Sequence, residues 1–321
     1  MSTSTHVKLL SRDIQIQATS LQSSVSSDNS GHLTLNVRYH KPPVTDGRTP
    51  TVLCLPFWGG SASTFDSVLT QLALLSSSSI SVALTYRGTG STHARGPDTA
   101  QDHSTSSLAA DVVRVLSSPD FLDLVSSGRL VLVAHSMSAK IAYHVLYLLA
   151  SGGIGNGVRI EIERMLLLAP APIGPLNLPP EMCAQQLRAY DSLESAGWTV
   201  RNVLSYAPLD DDMVRRLAGD AVGMSPGAKR GWVEYGMKLD CTEVLKGFMT
   251  LMKDRRALKV RVLVGREDKV ETVEKVCKET VDVLQSMGVD VKIRVVERCG
   301  HLLPVEAVKD VISEIRGLLG P

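Results

Sequence analysis

The chain has 321 residues, with 34 Lys and Arg against 33 Asp and Glu. That balance gives no electrostatic reason to expect nucleic acid or an anionic membrane surface as partner. A chain of this length can bury about three quarters of its unfolded surface, and an α/β chain of this size often forms one body. The five cysteines (Cys54, Cys183, Cys241, Cys277 and Cys299) are odd in number, scattered and without CxxC spacing, which signals neither a disulfide framework nor a zinc site. Cys54 and Cys277 lie among apolar neighbours and read as small core residues. The opening MSTSTHVKLLSRD carries no signal-peptide pattern, and no run approaches the ~18 apolar residues of a membrane span. The expected location is the reducing cytosol.

In chain order, Ile14–Ala18 and Leu33–Tyr39 alternate apolar with polar residues, as strands with one wet face do. Between them the Ser-rich segment 23–30 reads as a solvated loop. Then short apolar runs begin: Val52–Leu55, Ile80–Leu84, Leu130–Ala134, Met165–Ala169, Val260–Val264 and the mixed run Val291–Val296. Strands covered by helices on both faces have this composition. Segments of helical period separate them: Phe65, Val68, Leu69 and Leu72 share one face, as do Leu108, Val112, Val115 and Leu116. Val273, Val276, Cys277, Val281 and Leu284 form another stripe, and Val305, Val308, Ile312, Ile315 and Leu319 a last one. The alternation predicts an α/β fold with a doubly wound, mostly parallel sheet. One interval breaks the rhythm. From Ala171 to Lys253 no strand pattern occurs, and Pro179, Pro180, Pro208 and Pro226 punctuate helix-like pieces. Too long for an ordinary connection, residues 171–253 read as a helical lid inserted into a core of residues 1–170 and 254–321.

The segment Leu130–Tyr147, LVLVAHSMSAKIAYHVLY, runs a strand into a helix through Ala134-His135-Ser136-Met137-Ser138. Ile141, Val145, Leu148 and Leu149 mark the buried face of that helix. A nucleophile on so sharp a turn needs small residues two positions to either side, and Ala134 and Ser138 meet that need. The turn lifts the Ser136 hydroxyl clear of the sheet and aims the helix N-terminus at a nearby anion. The competing reading is a serine that caps a helix.

A serine hydroxyl needs a base. His301, in Arg298-Cys299-Gly300-His301-Leu302-Leu303-Pro304, follows the last predicted strand and so falls at the carboxyl edge of the sheet, where ligand crevices form. The acid that orients the base should also end a strand. After Val260–Val264 comes Gly265-Arg266-Glu267-Asp268-Lys269-Val270, in which either Glu267 or Asp268 qualifies. Other candidates carry less. His135 packs under the site, His144 reads as a hydrogen-bonded core residue, and His93 and His103 fall in a Gly/Ser/Thr-rich, solvated loop. Asp210, Asp211 and Asp212 read as a helix N-terminus rather than a metal site. Gly88 and Gly90 alone do not imply a nucleotide.

These residues resemble the α/β-hydrolase superfamily, in its lipase/esterase-like branch, over nearly the whole chain. Ser136, Asp268 and His301 stand in the family's chain order. Asp268 fits its G-x-x-D acid loop, which selects Asp268 over Glu267, and His301 fits its G-H loop. Leu55-Pro56-Phe57-Trp58-Gly59-Gly60-Ser61 is similar to the oxyanion loop, with Pro56 and Phe57 in place of His and Gly. The resemblance therefore implies oxyanion-hole donors at the backbone N–H of Trp58 and of Met137. Thr85-Tyr86-Arg87-Gly88-Thr89-Gly90-Ser91 is similar to the family's D-x-R-G-x-G-x-S loop, with Thr85 for Asp. Ser136 at the elbow argues against the haloalkane dehalogenases and epoxide hydrolases of the superfamily, which use Asp there.

The expected function is a serine hydrolase that cleaves an ester, lactone or thioester of an apolar small molecule through an acyl-enzyme on Ser136, with no cofactor and no metal. The alternatives are a C–C bond hydrolase acting on a β-diketone-like substrate, and a non-hydrolytic small-molecule binder on the same fold. No sequence feature sets an oligomeric state. Residues 171–253 hold six of the ten methionines and two of the three tryptophans. Met182, Trp198, Met213, Met224, Trp232, Tyr235, Met237, Phe248, Met249 and Met252 are therefore expected to divide between gluing the lid helices together and forming an apolar pocket over Ser136.

Overall fold

The computed structural model describes residues 7–17, 32–75, 78–90, 98–125, 127–152, 160–253 and 257–320. The Ser-rich segment 23–30 and His93 lie outside these. Eight strands form one sheet: β1 (Leu10–Gln17), β2 (His32–His40), β3 (Thr51–Leu55), β4 (Ser81–Leu84), β5 (Arg129–His135), β6 (Glu161–Leu168), β7 (Lys259–Gly265) and β8 (Asp290–Val296). Their order is β1-β2-β4-β3-β5-β6-β7-β8. The β1–β2 and β2–β4 pairs are antiparallel and all later pairs are parallel. The all-apolar runs thus occupy the parallel part, and the alternating ones the antiparallel edge.

Because side chains alternate across a strand, β3 sends Val52 and Cys54 to one face and Leu53 and Leu55 to the other. The first face is covered by α1 (Asp66–Leu75), through Val68, Leu69 and Leu72, and by the C-terminal helix Val308–Leu319, through Val311, Ile312 and Ile315. The second face is covered by α2 (Thr105–Leu116) and α3 (Ser138–Ser151), with Leu108, Val112, Ile141 and Val145 turned inward. Residues 273–286 form a helix interrupted by a π turn at Cys277–Val281, and there Cys277 is half-buried rather than part of the core.

Among the described residues between β6 and β7 there is no strand, and helices joined by turns and loops fill the interval. They include α4 (Pro180–Arg188), α5 (Leu193–Thr199), α6 (Asp211–Val222), α7 (Pro226–Gly231) and α8 (Thr242–Leu251). Asp210 caps α6 by accepting from the Met213 N–H at 2.7 Å, which accounts for the acidic triplet as a helix start. Last in the insertion, α8 buries Leu245 and Phe248 in the same core as Ile141 and Val145, so it serves as a sheet-covering helix. A fully buried lysine fixes the insertion at both roots. Lys140 Nζ, on α3, donates to the carbonyl of Gly174 at 2.8 Å and to that of Leu239. Among the described residues no helix is long and apolar enough to cross a membrane.

Candidate active site

The chain leaves β5 at His135 and enters α3 at Ser138, so it must reverse within two residues. Ser136 absorbs the reversal with φ of 56°, a left-handed value that few non-glycine residues hold without surrounding support. The support is a hydrogen bond from the Ser136 N–H to the Leu168 carbonyl at 2.8 Å, and two donated to the Ser136 carbonyl, from Ala139 N–H at 2.9 Å and Ala171 N–H at 3.2 Å. Ser138, expected only to be small, also bridges. Its Oγ donates to the Pro56 carbonyl and lies 2.7 Å from the Tyr86 hydroxyl, tying the elbow to the end of β3.

Asp268 and His301 stand on the loops after β7 and β8. Gly265 lets these loops meet: a Cβ there would sit 2.2 Å from the Cys299 carbonyl oxygen. His301 Nδ1 lies 2.8 Å from Asp268 Oδ2, and both side chains are buried. The other carboxylate oxygen of Asp268 accepts from the N–H groups of Val270 at 2.7 Å and Glu271 at 2.9 Å. Glu267, by contrast, is exposed. Burial alone would raise the Asp268 carboxyl, but the His301 ring and the two amide donors outweigh it, so its pKa lies below the ordinary value. For His301, burial would favour the neutral ring. The Asp268 carboxylate, helped by Glu271 and Glu306, outweighs this and raises its pKa above the usual 6.5.

Three further residues hold this pair, none of them prominent in the sequence. His135, fully buried, places Nε2 2.8 Å from the His301 carbonyl, and burial pushes its pKa down to about 3, so it stays neutral and donates from Nε2. Glu306 accepts backbone N–H bonds from Gly300, Leu302, Tyr206 and Ala207 at 2.7–3.2 Å, binding the histidine loop to the insertion. Glu271, 3% exposed, lies 2.9 Å from Lys275 Nζ, yet burial outweighs the ammonium and pushes its carboxyl up to about 7. Its spacing from Asp268, D-x-x-E, was the only available signal.

Ser136 and His301 both line one cavity of about 630 Å³. No hydrogen bond joins Ser136 Oγ to His301 among the described residues; catalytic contacts of this kind commonly tighten only with substrate bound. The walls combine Phe57 and Trp58 with Leu176, Leu178, Val203 and Leu204 of the insertion and with four of its larger side chains, Met182, Trp198, Trp232 and Met237. Of the ten insertion side chains expected to divide between packing the lid helices and lining the pocket, these four line the cavity, and Met213, Met224, Tyr235, Phe248, Met249 and Met252 do not. Polar groups, including Gln185, Arg188, Glu194, Lys269 and Glu271, also line it. Trp58 follows β3 and Met137 follows Ser136 in the elbow, and neither backbone N–H donates a hydrogen bond among the described residues.

Two histidines differ from their sequence reading. His103 is buried, with Nε2 2.7 Å from Asp98 Oδ1, because α7 of the insertion packs over its turn and removes it from solvent. His144 is half-buried and its Nε2 has no hydrogen-bond partner among the described residues, so it is not the hydrogen-bonded core residue expected. No three His, Cys, Asp or Glu side chains cluster as metal ligands would among the described residues.

A mostly parallel sheet, a strained serine turn after its central strand and an Asp–His pair at its carboxyl edge define an α/β hydrolase. The model of the alpha/beta hydrolase family matches residues 52–314, and the chain belongs to that family. Among solved structures it is similar to an esterase from Exiguobacterium antarcticum, with 14% identity over 90% of this chain and 96% of the other and a TM-score of 0.68. It is similar to a bromoperoxidase from Bacillus anthracis, with 12% identity over 96% and 99% of the two chains and a TM-score of 0.68. A thermophilic esterase from Thermogutta terrifontis gives 16% identity over 96% and 98% and a TM-score of 0.65. Likeness at such identities shows the fold. A sequence comparison with curated proteins finds no match.

Proposed function

We propose that this chain is a serine hydrolase that cleaves a carboxylic ester, lactone or thioester of an apolar small molecule, with Ser136 as nucleophile, His301 as base and Asp268 as the acid that orients it. The observation that carries this reading is the shared cavity: Ser136, on its strained turn, and His301, hydrogen-bonded to buried Asp268, open onto the same space. His301 Nε2 takes the Ser136 proton as Oγ bonds to the substrate carbonyl carbon. The carbonyl π pair moves onto oxygen, where the N–H groups of Trp58 and Met137 receive the charge, each such donor worth ~3 kcal/mol. Collapse breaks the bond to the leaving group, which takes the proton from His301. Water then repeats the sequence on the acyl-enzyme and frees Ser136. Residues 171–253 act as a lid that supplies the cavity roof. The five unbridged cysteines fit a reducing compartment, the cytosol.

The direct test is labelling by a fluorophosphonate, followed by p-nitrophenyl esters of graded chain length. Phe57, Leu178, Met182, Trp198 and Met237 form an apolar wall, so kcat/KM is expected to rise from acetyl to medium-chain esters, by about 4-fold per added CH₂ at ~0.8 kcal/mol each. A preference for acetyl or charged esters would contradict this assignment of the wall.

The base must be neutral to act. With the His301 pKa raised above 6.5, the acid limb of kcat/KM should lie above the pH of an ordinary histidine. Glu271→Gln removes one carboxylate that favours the charged ring, so the limb should move to lower pH. A limb that stays in place, or moves up, would remove Glu271 from this account.

A further inference from the structure

The loop that carries Trp58 is held by the helical insertion at two points. Phe57–Gly60 forms a turn closed by the Gly60 N–H on the Phe57 carbonyl at 3.0 Å, with Gly59 at φ of +98°. Positive φ at the third position of such a turn fixes which way the central peptide points. In that orientation the Trp58 carbonyl accepts the Tyr190 hydroxyl at 3.1 Å, and the Tyr190 ring lies against the indole with centroids 4.6 Å apart. The approach is so close that a Cβ on Gly59 would lie 2.8 Å from the Tyr190 ring. Tyr190 is 3% exposed, so its hydroxyl has little access to water in exchange. Just beyond the turn, Ser61 Oγ and Ser63 Oγ both donate to Asp220 Oδ2, at 2.6 and 2.8 Å, and Asp220 belongs to α6 of the insertion.

We propose that Tyr190 and Asp220 are positioning residues that set the oxyanion hole, so that the insertion completes the catalytic centre rather than only covering it. This rests on the reading of Trp58 N–H as an oxyanion donor. A donor works only where it meets the developing charge at hydrogen-bond distance, and a displacement of about 1 Å forfeits much of its effect. Tyr190 holds the peptide on the far side of the Trp58 Cα from that donor, and Asp220 holds the chain three residues on. Together they leave the turn one conformation. Tyr190 also lines the cavity, whereas Asp220 does not. The pair therefore separates positioning from substrate contact.

The test compares the full-length parent with Tyr190→Phe and Asp220→Ala. Each is assayed on p-nitrophenyl butyrate and titrated with an aryl trifluoromethyl ketone, whose hemiketal oxyanion occupies the hole. Each variant is expected to lose about tenfold in kcat, less than removal of a donor outright. KM should stay within about twofold and the acid limb of the pH profile should not move, because neither residue touches His301. Affinity for the ketone should fall by the same factor as kcat. A rise in KM alone for Tyr190→Phe, with Asp220→Ala at parental kcat, would make Tyr190 a substrate contact and overturn the proposal. Parental kcat and ketone affinity in both variants would overturn it equally. A parent that neither turns over the ester nor binds the ketone overturns the serine-hydrolase reading itself, and this inference with it. If either variant fails to fold, the other decides alone, since each severs a separate contact.

Discussion

Replacing Ser136 with alanine is expected to lower kcat on any turned-over ester by on the order of 10⁵–10⁶, with fluorophosphonate labelling lost. Removal of a serine nucleophile elsewhere has effects of that size because nothing else in such a site can form the acyl intermediate. The fold should survive. The turn at Ser136 is held by backbone bonds to Leu168, Ala139 and Ala171 rather than by the hydroxyl, and alanine meets the same φ of 56° as serine does. Circular dichroism and thermal melting close to the parent, together with a dead enzyme, are the expected result. A variant that keeps more than a few per cent of kcat would remove Ser136 from the chemistry and favour binding without acylation.

Asp268→Asn is expected to cost up to ~10⁴ in kcat, because an amide that replaces the carboxylate stabilises the wrong tautomer of the histidine. His301 Nδ1 faces Asp268 Oδ2 at 2.8 Å, and the substitution turns that acceptor into a mixed amide while the Val270 and Glu271 N–H bonds can persist on the remaining oxygen. Glu267→Gln should leave kcat within about twofold, since its side chain is exposed. Glu271→Gln belongs in the same series: it should shift the pH profile while sparing most of kcat. The reverse ranking of Asp268 and Glu267 would mean that the histidine is oriented by the other carboxylate.

What could be read from the sequence follows physical range. The parallel strands announce themselves because burial on both faces makes them apolar throughout, and the strand-turn-helix at Ser136 is a local event spanning few residues. His301 could be placed because a strand end and a helix start bracket it. The choice between Glu267 and Asp268 could not be made from residue type, since adjacent carboxylates on one loop differ only in direction; only one of them turns inward. Contacts of the insertion were beyond reach for a related reason. Tyr190 meets Trp58 across 132 positions and Asp220 meets Ser61 across 159, with no strand register to relate them. His103 read as a loop residue because the helix that buries it arrives from that same insertion, and Ser138 read as merely small because its two partners come from separate strand ends.

The buried ammonium of Lys140 draws a seam through the molecule. It sits on the helix that continues the serine elbow, and its partners are one carbonyl where the insertion departs and one where it returns. Anyone wishing to re-roof the cavity has the splice points marked: new chain can be sewn in between Gly174 and Leu239, with both carbonyls kept facing the lysine. A splice outside that interval would strand a positive charge in the interior, at a cost on the order of several kcal/mol, enough to consume much of the stability of an ordinary domain. Diversification of the chamber is thereby channelled into one exchangeable stretch of about 64 residues, whose replacement must renew the contacts that Tyr190 and Asp220 make with Trp58 and Ser61, while the charge beneath it polices where that stretch begins and ends.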